Sequence, residues 1–338
     1  MEKEDIRLKH VILHILDNTV GMPVLSESEL RFGPDLSEFI REHIAKIASG
    51  DDSRECHFYE SESEIFHMLE NYREEDFVPV SRDMATLLYE IMDSNVDIPS
   101  ADLIIAEYTV AGEEYLAILK MNYKSQYTHR TLSGEDGNQN ELFLHKSLLP
   151  SEGQRLSEAA LIRMSDLAIW VIEKKYEING EKTNYFSFLF LKCAAHLSHK
   201  AKLNIVNKAV ERAQKAGRED ENIFEEQMRA KNIIRQTLQE EGSFKVEELA
   251  DRIFADEPVR RQEFQDQMEK YELVKEEVRP RSETTLRKYE TQRLYTDNGI
   301  EIKIPMELYN NPGTVEFITD PDGTVSVLIK NIEHLEAK

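Results

Sequence analysis

The chain has little of what secretion or membrane insertion requires. No apolar run approaches the length of about 20 residues that a bilayer-spanning helix needs, and the N-terminal MEKEDIRLKH lacks the apolar core of a signal peptide. Cys56 and Cys193 are the only cysteines. Two cysteines provide no disulfide framework, so both are expected to be reduced thiols. These absences predict a soluble protein of the cytoplasm with no membrane partner.

Short motifs of enzyme chemistry are also missing. The sequence has no P-loop, no Gly-x-Gly-x-x-Gly, no His-Glu-x-x-His and no Gly-x-Ser-x-Gly. Asp166 with EKK at residues 173–175 matches the carboxylates and lysine of a metal-dependent nuclease. However, 32% of residues are charged, and another such triplet, EIK, stands at 301–303. The sequence therefore predicts a protein that is not an enzyme and holds no cofactor; a metal-dependent nuclease is a remote alternative.

Negative charge dominates, with a formal net charge of −23 at pH 7. This argues against nonspecific attachment to nucleic acid through the whole surface. Between residues 192 and 218 the sign reverses, because seven Lys and Arg residues face only Glu211. Residues 51–97 are the opposite extreme, with 14 acidic residues against three arginines. Such an acidic surface is typical of ordinary solubility, and it can also dock a basic protein or imitate DNA.

Hydrophobic periodicity gives the first half a mixed character. Residues 6–16 alternate with a period of two, which is typical of a half-buried strand. Two apolar runs that meet at Ala111 and Gly112 predict an antiparallel hairpin over 102–110 and 114–123. The polar residues 133–141 predict a mobile loop.

The second half is predicted to be mainly helical. Its helices are expected at 184–198, 200–215, 219–240, 245–254 and 259–271, and its short final strands at 300–305, 314–319 and 324–330. The whole is an α+β fold. A mixed N-terminal domain with an antiparallel sheet covers residues 1–183, and a helical region that ends in short strands covers 184–338.

Several stretches together resemble a known family. They are IRLKHVILHILDN near the start, PVLSESELRF at 23–32, EEDFVPVSRDMATLLYEIM at 74–92, DLIIAEY and EYLAILKMNY within 102–123, and RSETTLRKYE followed by IEIKIP. In this order they resemble the bacterial nucleoid-associated family typified by the 37-kilodalton nucleoid-associated protein. The resemblance implies association with the bacterial chromosome, location at the nucleoid and no enzymatic activity.

A metal site is the first interpretation of FLKCAAHLSHKAK at 190–202, because Cys193, His196 and His199 are three residues apart. On a helix these side chains spread over roughly 120°, too wide for three ligands of one ion. A zinc site also has four ligands as a rule, and no second pair follows. We therefore expect no metal and a Cys193 that packs in the core.

Nucleic-acid contact is the preferred interpretation of this basic segment. Clustered cations gain from counterion release at each phosphate that they neutralise. Lys192, His196, His199 and Lys200 would share one face of a continuous helix, and Lys208, Arg212 and Lys215 follow at spacings of four and three. The predicted DNA-contacting residues are Lys192, His196, His199, Lys200, Lys202, Lys208, Arg212, Lys215, Arg218, Arg287 and Lys288.

Two alternatives stay open at this stage. The cations can instead form a solvated face that pairs with acidic residues of the same chain, such as 219–226. The protein can also be an acidic adaptor or DNA mimic that binds a chromosome-handling protein, so that its association with DNA is indirect. Residues 244–254 resemble the first helix of a helix-turn-helix, but the helix after it is too acidic for a major-groove reader. Strong sequence specificity is therefore not expected, and the oligomeric state is left open.

Overall fold

The computed structural model describes residues 1–134, 137–216, 224–309, 311, 313–320, 324–334 and 336. The chain divides into two compact units, Met1–Ser198 (unit 1) and His199–Lys338 (unit 2). The division lies further along the chain than the predicted boundary at 183 and 184, because Cys193–Ala195 still pairs into the sheet of unit 1. Among the described residues, no helix combines the length and apolar character needed to cross a membrane.

Unit 1 combines three α-helices with eleven strands. The helices are α1 (Pro34–Ser49), α2 (Glu64–Leu69) and α3 (Phe77–Asp93). The strands are β1 (Arg7–Leu16), β2 (Arg54–Phe58), β3 (Ala101–Val110), β4 (Glu113–Asn122), β5 (Lys124–Gly134), β6 (Gly137–Leu148), β7 (Glu158–Arg163), β8 (Ile169–Ile172), β9 (Tyr176–Ile178), β10 (Glu181–Thr183) and β11 (Cys193–Ala195).

A seven-stranded antiparallel sheet with the order β1-β3-β4-β7-β8-β2-β11 forms the centre of unit 1. Its two faces are both covered. Alternate residues such as Leu103 and Ile105 pack with α2 and α3, while Ile104 and Ala106 pack with α1 on the other face. Burial on both sides explains why the predicted hairpin, which is β3 and β4, reads as two nearly continuous apolar runs.

The predicted helix over 184–198 is wrong in its second half. A short π-helical segment covers Phe186–Leu191 and ends at Lys192, whose φ of 48° lies in the left-handed region. The chain then runs as β11, with Cys193 opposite Phe58 and Ala195 opposite Cys56. Apolar spacing could not reveal this strand, because the partner strand β2 lies far away in the sequence.

The predicted loop over 133–141 is also wrong. Strands β5 and β6 form a two-stranded ribbon that pairs Ser133 with Asn138 and Arg130 with Glu141; residues 135 and 136 lie outside the described part. Both faces of this ribbon are largely exposed, so the sequence shows no alternation of polar and apolar residues. Cross-strand hydrogen bonds, such as Thr131 Oγ1 to Asn140 Oδ1 at 2.7 Å, replace apolar packing.

Unit 2 is mainly helical and has its own apolar core. Its helices are α4 (His199–Lys215), α5 (Phe224–Glu241), α6 (Val246–Ile253), α7 (Pro258–Lys270), α8 (Glu283–Glu290) and α9 (Met306–Tyr309). Its strands pair as β12 (Phe244–Lys245) with β13 (Glu277–Val278), β14 (Thr291–Tyr295) with β15 (Glu301–Pro305), and β16 (Val315–Thr319) with β17 (Val325–Ile329). The core joins Leu203 and Val206 of α4 to Ile234 of α5 and Phe264 of α7. The predicted α+β fold is thereby confirmed.

An ion pair without access to water lies within the sheet of unit 1. Lys120 on β4 and Glu158 on β7 are direct cross-strand partners, both side chains are fully buried, and Nζ lies 3.6 Å from Oε2. Lys120 Nζ also donates to the carbonyl oxygen of Pro99 at 2.9 Å and to Asn122 Oδ1. Burial lowers the pKa of Lys120 to about 8, although Glu158 opposes this shift.

Removal of one partner should therefore be far worse than removal of both. Glu158→Gln leaves a buried cation without its anion and should lower the free energy of unfolding by about 3–5 kcal/mol. The double variant Lys120→Met, Glu158→Leu fills similar space without charge, so its free energy of unfolding should fall clearly less. Urea unfolding at pH 7, followed by circular dichroism, compares the two; equal losses would contradict the assignment of this pair as a charge pair.

Candidate nucleic-acid interface

The predicted basic segment is divided between the two units. Lys192 and His196 belong to unit 1, where Lys192 Nζ lies 3.2 Å from Glu64 Oε1 and the His196 ring packs edge-on against His57. Because β11 intervenes before α4 begins at His199, Lys192 and His196 do not share a helix face with His199 and Lys200. The predicted common helix face of these four residues is therefore wrong, whereas their contact with DNA stays a prediction; Arg218 lies outside the described residues.

Helix α4 presents the second part of the predicted surface. Lys208, Arg212 and Lys215 are all exposed, and spacings of four and three place them within an arc of roughly 60° on a helix. The opposite face of α4 carries Val206 and Ala213, which are buried in the core of unit 2. The apolar face thus fixes the helix and turns the cationic row toward solvent.

Several of the predicted cations are held by acidic side chains of unit 2. Lys202 lies toward the core side of α4 and its Nζ is 2.6 Å from Glu276 Oε2. Arg212 Nε is 2.8 Å from Glu263 Oε1 on α7. On α8, Arg287 Nη2 is 2.9 Å from Glu283 Oε2, one turn away. Intrachain pairing, the alternative considered from the sequence, therefore applies to these three residues.

Three other predicted cations stay available to a ligand. Lys208, Lys215 and Lys288 are exposed, and none of them forms an ion pair with any residue in the described ranges. Surface ion pairs contribute little free energy and exchange readily. The surface therefore has three lysines without an ion pair among the described residues. A phosphate group could also displace the carboxylates that pair with the nearby arginines.

A cavity of about 550 Å³ opens between α4, α5, α8 and β14 in unit 2. Among the described residues, four cations line it, namely Lys200, Lys231, Lys288 and Arg293, against the acidic Glu211. In a chain of net charge −23 this is a local excess of positive charge. The cavity adjoins the exposed row, because Lys200 and Glu211 lie on the face of α4 next to Lys208 and Lys215.

Lys231 is the lining residue that the sequence did not reveal. It is half-buried on α5, and its Nζ donates to the carbonyl oxygen of Thr291 at 3.0 Å and to Gln292 Oε1 at 2.7 Å. Burial lowers the pKa of Lys231. A signal was present, since Lys231 stands at three-residue spacing between the buried Met228 and Ile234. A lone lysine on an apolar helix face is nevertheless easily taken for a surface residue.

The wall of the cavity is braced by a reciprocal hydrogen-bond pair. The Tyr289 hydroxyl donates to Asn207 Oδ1 at 3.0 Å and accepts from Asn207 Nδ2 at 2.7 Å. This pair joins α8 to α4 at a position where the Tyr289 side chain is only 7% exposed. The pair thus connects two of the helices that line the cavity.

The residues that first suggested a metal do not converge. Cys193 is 4% exposed and packs in the core of unit 1, as expected. His199 belongs to unit 2, where its Nδ1 accepts from the backbone N–H of Arg279 at 3.3 Å. A hydrogen bond with Cys56, together with burial, raises the pKa of the Cys193 thiol. No group of three or more potential metal ligands occurs among the described residues.

The carboxylates of the nuclease alternative are engaged in structural contacts. Asp166 accepts from Arg163 Nε at 2.8 Å and Nη2 at 2.5 Å, and these hydrogen bonds lower the pKa of Asp166 to about 2. Glu173 accepts from the backbone N–H of Ser187 at 3.0 Å and from its hydroxyl at 2.5 Å. Arg54 completes the set with an ion pair to Glu173.

Helices α6 and α7 do not present a cationic recognition surface. Arg260 near the start of α7 is only 6% exposed, and its Nη1 lies 2.6 Å from both Glu226 Oε2 and Glu257 Oε2. Arg261 pairs with Asp251 on α6. Base-edge readout by this pair of helices therefore has little support, in line with the acidic sequence of α7.

Comparison with protein families gives a match that covers nearly the whole chain. The model of a family described as nucleoid-associated protein YejK matches residues 12–336, which is nearly the whole chain and includes both units. Among curated proteins, no match is found.

The burial of both thiols in unit 1 leads to a direct test. Cys56 and Cys193 are 0% and 4% exposed, so an aromatic disulfide reagent should modify neither within minutes in the folded protein, and both after unfolding in urea. Absorbance of the released thiolate measures this, and single Cys→Ala variants assign each phase. Rapid modification of the native protein would contradict the packing of β2 against β11.

Proposed function

The chain belongs to this family of nucleoid-associated proteins, and on that premise we propose that it binds chromosomal DNA directly through unit 2. The contact surface consists of the exposed cations Lys208, Lys215 and Lys288, with Lys200, Arg212 and other predicted residues at its margin. The protein would act at the nucleoid in the cytoplasm, without strong sequence preference and without catalysis. The observation that carries the proposal is a set of exposed lysines that form no ion pair within the described residues, on a strongly acidic protein.

The spacing of the row suits a phosphate backbone. Lys208 and Lys215 are seven residues apart on α4, which is about 10 Å along the helix axis. Successive phosphates of one DNA strand are about 3.4 Å apart along the duplex axis, so the two lysines can reach different phosphates. Lysine is a point charge on a flexible stem, and it contacts phosphate without a fixed geometry.

The net charge of the protein does not prevent such a contact. At physiological ionic strength the Debye length is about 8 Å, so distant exposed carboxylates are largely screened from a phosphate that touches α4. The overall charge should act mainly at low salt, where it slows the approach of DNA. Binding would therefore depend on the local row and remain moderate in affinity.

Charge reversal of the row should separate direct from indirect association. Lys208→Glu with Lys215→Glu should weaken binding to a 30-base-pair duplex by about tenfold or more and lower the slope of log affinity against log salt by about two. Fluorescence anisotropy over a salt series measures both. The matched control is Lys146→Glu with Lys182→Glu, two exposed positions of unit 1 with the same change in net charge.

The control defines what contradicts the proposal. An equal loss of duplex affinity in both double variants would show that net charge alone causes the effect. Failure of the wild-type protein to bind duplex at low salt would exclude direct contact, and association with the chromosome would then have to pass through a protein partner.

Removal of an acid that pairs with a predicted cation provides a second test, in which duplex affinity should rise instead of fall. Glu263→Gln removes the ion-pair partner of the exposed Arg212 without removing any cation. Duplex affinity should rise a few-fold, and the salt slope should grow by up to about one, since one more cation can reach phosphate. The same anisotropy titration measures this, with Glu60→Gln in unit 1 as the control. No gain over that control would exclude Arg212 from the interface.

A further inference from the structure

The cavity of unit 2 has features that the binding of a duplex backbone does not use. Lys231 is half-buried on α5 and lines the cavity, so it is less accessible to a rod-like duplex than the exposed lysines of α4. Its ammonium group has three N–H donors. Two donate to Thr291 and Gln292, both neutral acceptors, and no carboxylate among the described residues pairs with it. A half-buried ammonium group of this kind is stabilised by an anion.

A second polar group of the cavity wall lacks a partner within the described part of the chain. Gln214 is only 2% exposed, and its Nε2 donates to the carbonyl oxygen of Glu226 at 2.9 Å. That hydrogen bond fixes the orientation of the amide, so Oε1 is the other atom, and it is buried with no hydrogen-bond partner among the described residues. A buried acceptor without a donor is costly. A ligand that supplies a hydroxyl or amino group next to its anionic group would satisfy it.

The remaining lining indicates the class of that ligand. The volume of about 550 Å³ is far larger than a bare phosphate needs and lies in the usual range for small-molecule sites. Leu203, Val210 and Met228 contribute apolar wall. At the β14 side stands Tyr295, whose side chain is 71% exposed and offers a flat surface on which a base can stack.

We propose that this cavity binds a nucleoside phosphate, with the phosphate at Lys231 and Arg293 and the nucleoside against Gln214 and Tyr295. The same chemistry can come from a free nucleotide or from the 5′-phosphorylated end of a DNA strand. The strand-end source rests on the proposed function, because it needs DNA at this unit; the free-nucleotide source does not. Lys200 and Lys288 line the cavity and also border the duplex-contacting row, so a strand end could reach both.

Calorimetric titration of the full chain with 2′-deoxyadenosine 5′-monophosphate tests the free-nucleotide source. Deoxyadenosine, which lacks the phosphate, should bind about tenfold more weakly or worse, because charge-assisted hydrogen bonds are lost. Inorganic phosphate alone should also bind more weakly, since it leaves Gln214 and the apolar wall without contacts. Single-stranded octathymidylate with and without a 5′-phosphate tests the strand-end source by anisotropy.

Two variants keep the test decisive. Lys231→Met keeps the length of the side chain but removes its charge, and it should lower the affinity for the nucleotide or the phosphorylated end about tenfold or more. Arg293→Gln changes an exposed strand residue whose loss should not disturb folding, and it should lower affinity in the same direction. Lys208→Glu with Lys215→Glu, outside the cavity lining, is the control and should leave nucleotide affinity within about twofold, because of screening.

The outcomes separate this inference from the proposed function. Binding of the nucleotide or of the phosphorylated end, lost in Lys231→Met and Arg293→Gln, supports the site and identifies the source. No binding of either at millimolar concentration, unchanged affinity in both variants, or equal affinity for inorganic phosphate overturns it. Duplex titrations with the same proteins keep the two proposals distinguishable. Lys231→Met should bind duplex as the wild type does, whereas failure of the wild-type protein to bind duplex counts against the proposed function only.

Discussion

The sheet of unit 1 depends on a charge pair that water does not reach. Lys120 and Glu158 face each other across β4 and β7, and a sheet covered on both faces leaves no solvent to replace either partner. A slip of one residue between these strands would turn one of the two groups to the opposite face, where apolar side chains pack. The pair therefore specifies the register of β4 on β7, and that register aligns the apolar residues that hold α1 on one face and α3 on the other.

Helix α4 of unit 2 carries cations that pair with acids of the same unit and others that, within the described residues, do not. Lys202 and Arg212 are tied to Glu276 and Glu263, whereas Lys208 and Lys215 on the same helix are not. Position around the helix accounts for Lys202, which lies near the core-facing side of α4 beside Glu276. Arg212 shares the exposed face with Lys208 and Lys215, and its pairing follows from the nearby Glu263 on α7.

Periodicity predicted the parts of the fold whose pattern is local. The β3–β4 hairpin, α4 and the cationic row of α4 all follow from spacing within a single element. Strand β11 could not be predicted, because its pairing with β2 depends on a contact about 135 residues away in sequence. The β5–β6 ribbon has two exposed faces and therefore no period of two to detect. Lys231 and the acids that neutralise Arg212 became evident only once distant helices were placed together.

The chemistry of the free cations bears on specificity. Discrimination between bases in the major groove relies largely on arginine, because its planar guanidinium can donate two hydrogen bonds to guanine. Two exposed arginines of unit 2 are paired with acids: Arg212 with Glu263 and Arg287 with Glu283. Within the described residues, the exposed cations Lys208, Lys215 and Lys288 form no ion pair, and lysine neutralises phosphate with little dependence on geometry. If unit 2 contacts DNA as proposed, an interface that relies on these lysines would respond to the charge of the backbone more than to the bases.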